Sequence, residues 1–284
     1  MGRLVFKAAA IAGAMLFGAH AAGAMPALGK WQAREFPAHY AAGTPGICGQ
    51  DGPIKGRRDA LTEKGRKRVL RGKAKGAVAP LEKAVKEWPD DPVAYYWLGR
   101  AYGKLPAEEW GWNAVECLQV ASQILPKDIA ITGDLAEAYM RVEHPGAVMK
   151  ELEGRLALSQ EDAAARYAIA RAYLCMWQQD AGTGGLPKDV ALGYARVNIA
   201  EARRLAGSEP AILFYSAFIE CNTKGEGNMA DALSWAQSAL AFAQADAHYA
   251  CLDVDGKDVE RLIGRIEARM RAEARQAARE KEAQ

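Results

Sequence analysis

The side chains that could act as acids, bases, nucleophiles or metal ligands are few in this chain and lie far apart. Of its four histidines, His39, His144 and His248 follow the N-terminal apolar segment, and no H-E-x-x-H sequence or other metal-ligand spacing connects them. No C-x-x-C pair of a thiol oxidoreductase occurs among the five cysteines, which are Cys48, Cys117, Cys175, Cys221 and Cys251. The sequence therefore predicts no enzyme, and neither a metal nor a cofactor.

Two polar segments match ligand-binding loops only in part. The Gly-rich segment Asp180–Asp189 follows no predicted strand, so a phosphate-binding loop is not expected there. We interpret it as an insertion loop, with a binding flap as the alternative. The segment Asp253–Asp258 places Gly256 two positions too early for a calcium loop and lacks the distal glutamate, so calcium is not expected either.

Basic residues are concentrated in one stretch. The segment Lys55–Lys75 holds ten Lys or Arg residues against Asp59 and Glu63, a local net charge of +8. Such a run is typical of a solvated helix face. The alternative is contact with an anionic surface, such as lipid head groups or an acidic polymer. Nucleic acid is not an expected partner, because the first 24 residues of the chain predict export.

The first 24 residues have the pattern of a secretory signal peptide. Arg3 and Lys7 precede an apolar run, and Ala22-Gly23-Ala24 forms a small-residue cleavage site. An uncleaved anchor is the alternative. Cleavage would leave a chain of zero formal charge, with all five cysteines in an oxidising compartment where disulfides are permitted. We therefore expect a periplasmic or secreted protein, with no transmembrane segment after cleavage.

The remaining sequence divides into three parts by composition. Residues 25–57 form a Pro/Gly-rich leader that carries Trp31, Phe36 and Tyr40. Residues 58–245 have helical periodicity. Residues 246–284 contain an amphipathic helix with Val259, Leu262 and Ile266 on one face. We expect this helix to cap the preceding array, with a coiled-coil dimer as the alternative.

A short motif recurs along residues 58–245. Leu98, Gly99 and Tyr102 are followed 37 residues later by Leu135, Ala136 and Tyr139, and after another 34 residues by Ile169, Ala170 and Tyr173. Small residues also recur in the segments that follow the first and third of these motifs and in one later segment, namely Ala114, Ala121, Ala195, Ala202, Ala232 and Ala239. Small residues let two helices approach closely, so the pattern predicts stacked helical hairpins.

In the order and spacing of these residues, the chain resembles the tetratricopeptide repeat (TPR) family over about Arg58 to Ala245. The resemblance implies an all-α fold: a right-handed superhelical stack of helical hairpins, or TPR-like α-solenoid, with about five repeats. The third repeat departs from the pattern, because Arg155 stands where a small residue is expected.

The resemblance also implies a binding surface. In the TPR family the first helix of each hairpin lines a concave groove that holds peptides or protein segments. Carried over by the repeat frame, six groove residues follow: Tyr96, Arg100, Glu137, Arg141, Tyr167 and Arg171. Tyr and Arg suit partner binding, and we expect these anchors to be exposed and of little importance for folding. The alternative is that they are ordinary solvated helix residues. Arg100, Glu137 and Arg171 replace the asparagines of chaperone-tail clamps, so that partner is not expected, although an arginine could still hold a carboxylate through two hydrogen bonds.

These observations predict an exported TPR scaffold that mediates protein–protein interaction through its concave groove. The alternative is a noncatalytic helical subunit of a cell-envelope enzyme or secretion complex. Such a subunit would copurify with a fixed partner.

Overall fold

A computed structural model describes residues 57–178, 186–223, 227–245 and 256–282. The predicted signal peptide, the leader up to residue 56 and most of the Gly-rich segment lie outside the described residues, as do Cys48 and Cys251. Within them the chain forms eleven helices and no strand: α1 Arg57–Leu70, α2 Ala74–Glu87, α3 Pro92–Gly103, α4 Ala107–Ile124, α5 Ile129–Arg141, α6 Pro145–Leu158, α7 Ala163–Gln178, α8 Lys188–Leu205, α9 Pro210–Asn222, α10 Met229–Ala245 and α11 Gly256–Glu282.

The helices pack in sequence as an α-solenoid. The five successive pairs from α1–α2 to α9–α10 form hairpins, and the second helix of each pair also contacts the first helix of the next. Leu98, Leu135 and Ile169 are buried at equivalent positions of α3, α5 and α7. The predicted all-α fold of stacked helical hairpins is thus confirmed.

Aspartate and proline residues define where the first helices begin. The Asp91 carboxylate accepts a hydrogen bond from the Val93 amide at 3.0 Å, and Pro92 occupies the first turn of α3. The Asp128 carboxylate accepts from the Ile131 amide at 2.9 Å at the start of α5. Each carboxylate satisfies an amide that has no partner within its own helix, so the connections between hairpins can be short.

Close helix contacts depend on glycine at core positions that include Gly99 and Gly133. A Cβ atom on Gly99 of α3 would lie 2.7 Å from Leu118 Cγ of α4, so the hairpin needs a residue without a side chain there. A Cβ atom on Gly133 of α5 would lie 2.5 Å from Tyr167 Cε1 of α7. This second contact joins neighbouring hairpins and draws α5 and α7 together.

The third hairpin is held by a charged contact. The helix α6 packs on α5 and α7 less extensively than the second helices of the other hairpins pack on their partners. The Arg155 guanidinium of α6 instead donates to both carboxylate oxygens of Asp162, at 2.8 and 3.1 Å, and Asp162 also accepts from the Ala165 amide of α7. Arg155 stands at the position where the repeat pattern has a small residue. Its side chain links α6 to the start of α7.

The last helix packs on α10 and α9 through part of its length. Val259, Leu262 and Ile266 are buried, and Arg269 Nη1 donates to the Cys221 carbonyl of α9 at 2.7 Å. Residues 271–282 are exposed throughout. In the portions of the chain given above, no helix combines the length and the apolar character needed to span a bilayer.

Candidate functional site

The six candidate residues lie on three successive first helices, two each on α3, α5 and α7. Glu137 and Arg141 of α5 are partly or fully exposed. The other four are buried, with exposed fractions of 0% for Tyr96, 5% for Arg100, 2% for Tyr167 and 6% for Arg171. The expectation that these four side chains are exposed is therefore wrong, because neighbouring side chains and hairpins cover them.

The Tyr96–Arg100 pair of α3 forms a buried polar cluster. Arg100 Nη1 donates to the Tyr96 hydroxyl at 3.3 Å, and the guanidinium lies 4.9 Å from the centre of the Trp97 ring. Arg100 Nε is 3.5 Å from Asp134 Oδ2, across the boundary between the second and third hairpins. The charge is thus compensated by a carboxylate and an aromatic face.

The Tyr167–Arg171 pair of α7 repeats this arrangement. Arg171 Nη1 donates to the Tyr167 hydroxyl at 3.0 Å, and the guanidinium lies 4.5 Å from the centre of the Tyr215 ring of α9. Its Nη2 donates to Glu137 Oε2 of α5. Burial raises the pKa of Tyr167 to about 12, so the phenol is neutral near pH 7.

One helix supplies both carboxylates. Asp134 and Glu137 are three residues apart on α5, so both lie on one side of the helix. Asp134 pairs with Arg100 on one flank and Glu137 with Arg171 on the other. The result is a band of alternating charges from α3 through α5 to α7, and we call these four residues the charge band.

A cavity of about 250 Å³ opens between α3 and α5 beside the charge band. The α3–α5 cavity is lined by Gly99, Arg100, Gly103, Lys104, Leu118, Asp134, Glu137, Ala138 and Arg141. Three of the six candidates, Arg100, Glu137 and Arg141, thus come together around one space. Tyr96, Tyr167 and Arg171 do not line it.

The cavity exists because α3 and α5 separate. The helix α5 packs extensively along α7 but touches α3 at only a few positions. Gly99 and Gly103 add no side-chain volume on the α3 side, and Leu118 and Ala138 supply apolar wall. The space left between the two helices is therefore bounded by charged side chains, by backbone and by this apolar wall.

The charges at the cavity differ in accessibility. The Glu137 side chain is 39% exposed although one of its oxygens accepts from Arg171. Lys104 and Arg141 are exposed, and Arg141 Nη2 donates to the Leu105 carbonyl at 3.0 Å. Arg100 and Asp134 pair with each other deeper in the cavity. The charged groups at the solvent-exposed side of the cavity are thus two cations, Lys104 and Arg141, and one carboxylate, Glu137.

Sequence reasoning missed Asp134 and Lys104 as members of this site. The position of Asp134, one turn before Glu137 and on the same side of α5, was the available signal. Lys104 follows the last turn of α3, so the repeat frame of the helix did not include it.

In the described ranges, neither the cysteines nor His144 line the cavity. No cluster of three or more His, Cys, Asp or Glu side chains suited to a metal occurs in the portion of the chain that the structure describes. Cys117, Cys175 and Cys221 form no disulfide within the described residues. Burial raises the pKa of the Cys175 thiol to about 11, so it is protonated at neutral pH.

Comparison with known proteins finds structural likeness to four chains of solved structures. No family model and no curated protein matches the chain. A solved structure titled "MamA RS-1 ArsTM double mutant" is 17% identical over 67% of this chain and 97% of that chain, with a TM-score of 0.36. This likeness is too slight to bear on the function.

Proposed function

We propose that the protein is an exported helical-repeat scaffold that binds a protein or peptide partner at the α3–α5 cavity. The observation that carries this proposal is the opening of a cavity with both charged and apolar walls where two successive first helices separate. Lys104, Glu137 and Arg141 are within reach of a ligand at its mouth. Export is proposed from the signal-peptide pattern of residues 1–24.

The size of the cavity favours part of a macromolecule over a free small molecule. Small-molecule pockets enclose about 300 to 1,000 Å³ and cover most of their ligand. The α3–α5 cavity holds about 250 Å³ and is open to solvent. It therefore suits one or two side chains of a partner whose remaining contacts lie along the neighbouring helices.

The chemistry of the lining favours binding over catalysis. Arg100 and Asp134 neutralise each other, and Glu137 is engaged by Arg171. A general acid or base needs a pKa near the working pH and access to the substrate proton. Fixed ion pairs of this kind instead supply directional hydrogen bonds and exclude partners of the wrong charge.

Site-specific photo-crosslinking tests the proposal. A photoreactive amino acid at position 141, which lines the cavity and is exposed, should form a discrete adduct with an envelope protein in intact cells. The matched control is position 150 on α6, an exposed lysine outside the cavity lining. The Lys104→Gln variant in the position-141 background should reduce the yield of the adduct.

Two outcomes would reject the proposal. The absence of any adduct at position 141 would mean that no partner occupies the cavity. Equal adducts at positions 141 and 150 would mean that the crosslinks report random collision. Far-UV circular dichroism of each variant separates loss of binding from loss of fold.

A further inference from the structure

Beyond partner binding at the cavity, we infer that the first hairpin carries a membrane-contact surface that binds the head groups of anionic phospholipids. The surface consists of the exposed cations of α1 and of the turn into α2, together with one exposed leucine. We call it the basic face, and its members are Lys64, Lys67, Leu70, Arg71, Lys73 and Lys75. None of these residues lines the α3–α5 cavity.

The first hairpin carries a strong positive charge, whereas the rest of the chain does not. Residues 57–75 contain nine Lys or Arg residues against Asp59 and Glu63, a net charge of +7. The whole chain carries only +2. Positive charge is thus concentrated at one end of the array, whereas the remaining sequence is net acidic. This distribution orients the molecule toward an anionic surface.

Within the hairpin, the carboxylate of Glu63 neutralises only the cations next to it on α1. Glu63 is engaged by Arg66 at 2.6 Å and by Lys67 at 3.5 Å, and the Arg66 hydrogen bond lowers the pKa of the Glu63 carboxyl. Lys64, Arg71, Lys73 and Lys75 form no ion pair within the described residues. Binding an external anion therefore breaks no ion pair of these four side chains within the described residues.

The backbone places these cations on one side. Positions 64, 67 and 71 are three and four residues apart, which is one face of a helix. Thr62, Gly65 and Val69 on the opposite face of α1 are buried against the rest of the array. Gly72 takes a φ of +70°, and this turn brings the start of α2 beside the end of α1.

The exposed side chain of Leu70 among the cations favours a lipid bilayer over an acidic protein as the anionic partner. Leu70 is 43% exposed at the end of α1, next to Arg71. In the interfacial region of a membrane, such a side chain enters the acyl boundary while lysine stems extend to the head groups. Mobile lipid head groups can follow cations spread over two helices, whereas fixed carboxylates must match each position. Clusters of four or more Lys or Arg are typical of anionic lipid binding.

Vesicle sedimentation of the full chain tests the inference. Binding to phosphatidylcholine vesicles with and without phosphatidylglycerol is compared, so that apolar binding by the N-terminal segment is subtracted. In the test variant, three cations without ion pairs are replaced: Lys64→Gln, Arg71→Gln and Lys73→Gln. Each basic residue near an anionic surface contributes about fivefold in affinity, so the variant should bind anionic vesicles about 100-fold more weakly.

The matched control removes three exposed arginines from the free end of α11, as Arg271→Gln, Arg275→Gln and Arg279→Gln. It changes the net charge equally and should alter vesicle affinity by less than about threefold. An equal loss in both variants would show that total charge, and not the basic face, governs binding. Wild-type affinity in the test variant, or equal binding to both kinds of vesicle, would overturn the inference.

A second variant separates lipid from an acidic polymer or protein. Leu70→Gln should weaken binding to anionic vesicles severalfold but leave the affinity for polyglutamate unchanged, because only the bilayer receives the apolar side chain. If polyglutamate binds as tightly as the vesicles at equal anion concentration, and Leu70→Gln affects neither, the lipid assignment is overturned.

Discussion

Replacing Arg171 with methionine tests whether the charge band stabilises the array. Methionine retains most of the apolar stem but removes the guanidinium, which is buried between α5, α7 and α9. The TPR resemblance alone predicts an exposed residue whose loss affects binding and not folding. The structure predicts the reverse, so one substitution distinguishes the two.

The expected magnitude follows from the contacts of Arg171. Loss of its 3.0 Å hydrogen bond leaves the buried Tyr167 hydroxyl without this donor, at a cost of about 1 to 3 kcal/mol. Loss of the cation over the Tyr215 ring costs about 0.5 to 2 kcal/mol. Glu137 is 39% exposed and regains water, so its lost ion pair adds less than about 1 kcal/mol. We expect a loss in unfolding free energy of roughly 2 to 5 kcal/mol.

The assay is thermal and urea unfolding followed by far-UV circular dichroism. For a chain of this length, the expected loss corresponds to a decrease in Tm of roughly 5 to 15 °C. Arg141→Met is the matched control, because it removes an exposed arginine of α5 and should change the unfolding free energy by less than about 0.5 kcal/mol. If the two variants unfold at the same temperature, Arg171 is not part of the core.

Three further expectations concern stability, pH and export. Leu135→Ala should cost about 2 to 5 kcal/mol, because the side chain is buried between hairpins; an unchanged Tm would refute the repeat frame at α5. Burial raises the pKa of Tyr139 and Tyr167 from 10.0 to about 12. Their contribution to stability is complete below pH 10 and lost between about pH 10 and 12, so tyrosinate absorbance should rise together with loss of helix. Ionisation of Tyr139 or Tyr167 at pH 10 with the helices intact would contradict this burial. Mass spectrometry of the envelope form should find a chain that begins near Met25, and an intact Met1 in a cytoplasmic fraction would refute export.

The repeat frame could be predicted from the sequence because close contact between helices restricts residue size at regularly spaced positions. Leu98, Leu135 and Ile169 recur at nearly constant spacing, and each is followed by a small residue where the partner helix approaches. Close packing restricts residue size at such positions whatever the partner or ligand is. Fold class was therefore accessible without homologues.

The exposure of the Tyr–Arg pairs could not be predicted in the same way. Helical periodicity shows which face of α7 meets its own hairpin partner, but not how closely the preceding hairpin approaches the other flank. Tyr167 is covered because Gly133 of α5 has no side chain and lets its ring approach. The Tyr215 ring of α9 then completes the enclosure of Arg171. These are contacts over more than thirty residues of sequence, and no local pattern records them.

Glu137 connects the fold to the proposed site, because it belongs to both. One of its oxygens accepts from the buried Arg171, while 39% of its side chain is exposed and it lines the α3–α5 cavity. A cationic group of a partner that enters the cavity must share this carboxylate with Arg171. An anionic group meets Lys104 and Arg141 at the mouth and leaves the Glu137–Arg171 pair intact. An anionic group therefore binds without weakening the α5–α7 contact, whereas a cationic one competes with the interaction that holds these hairpins together.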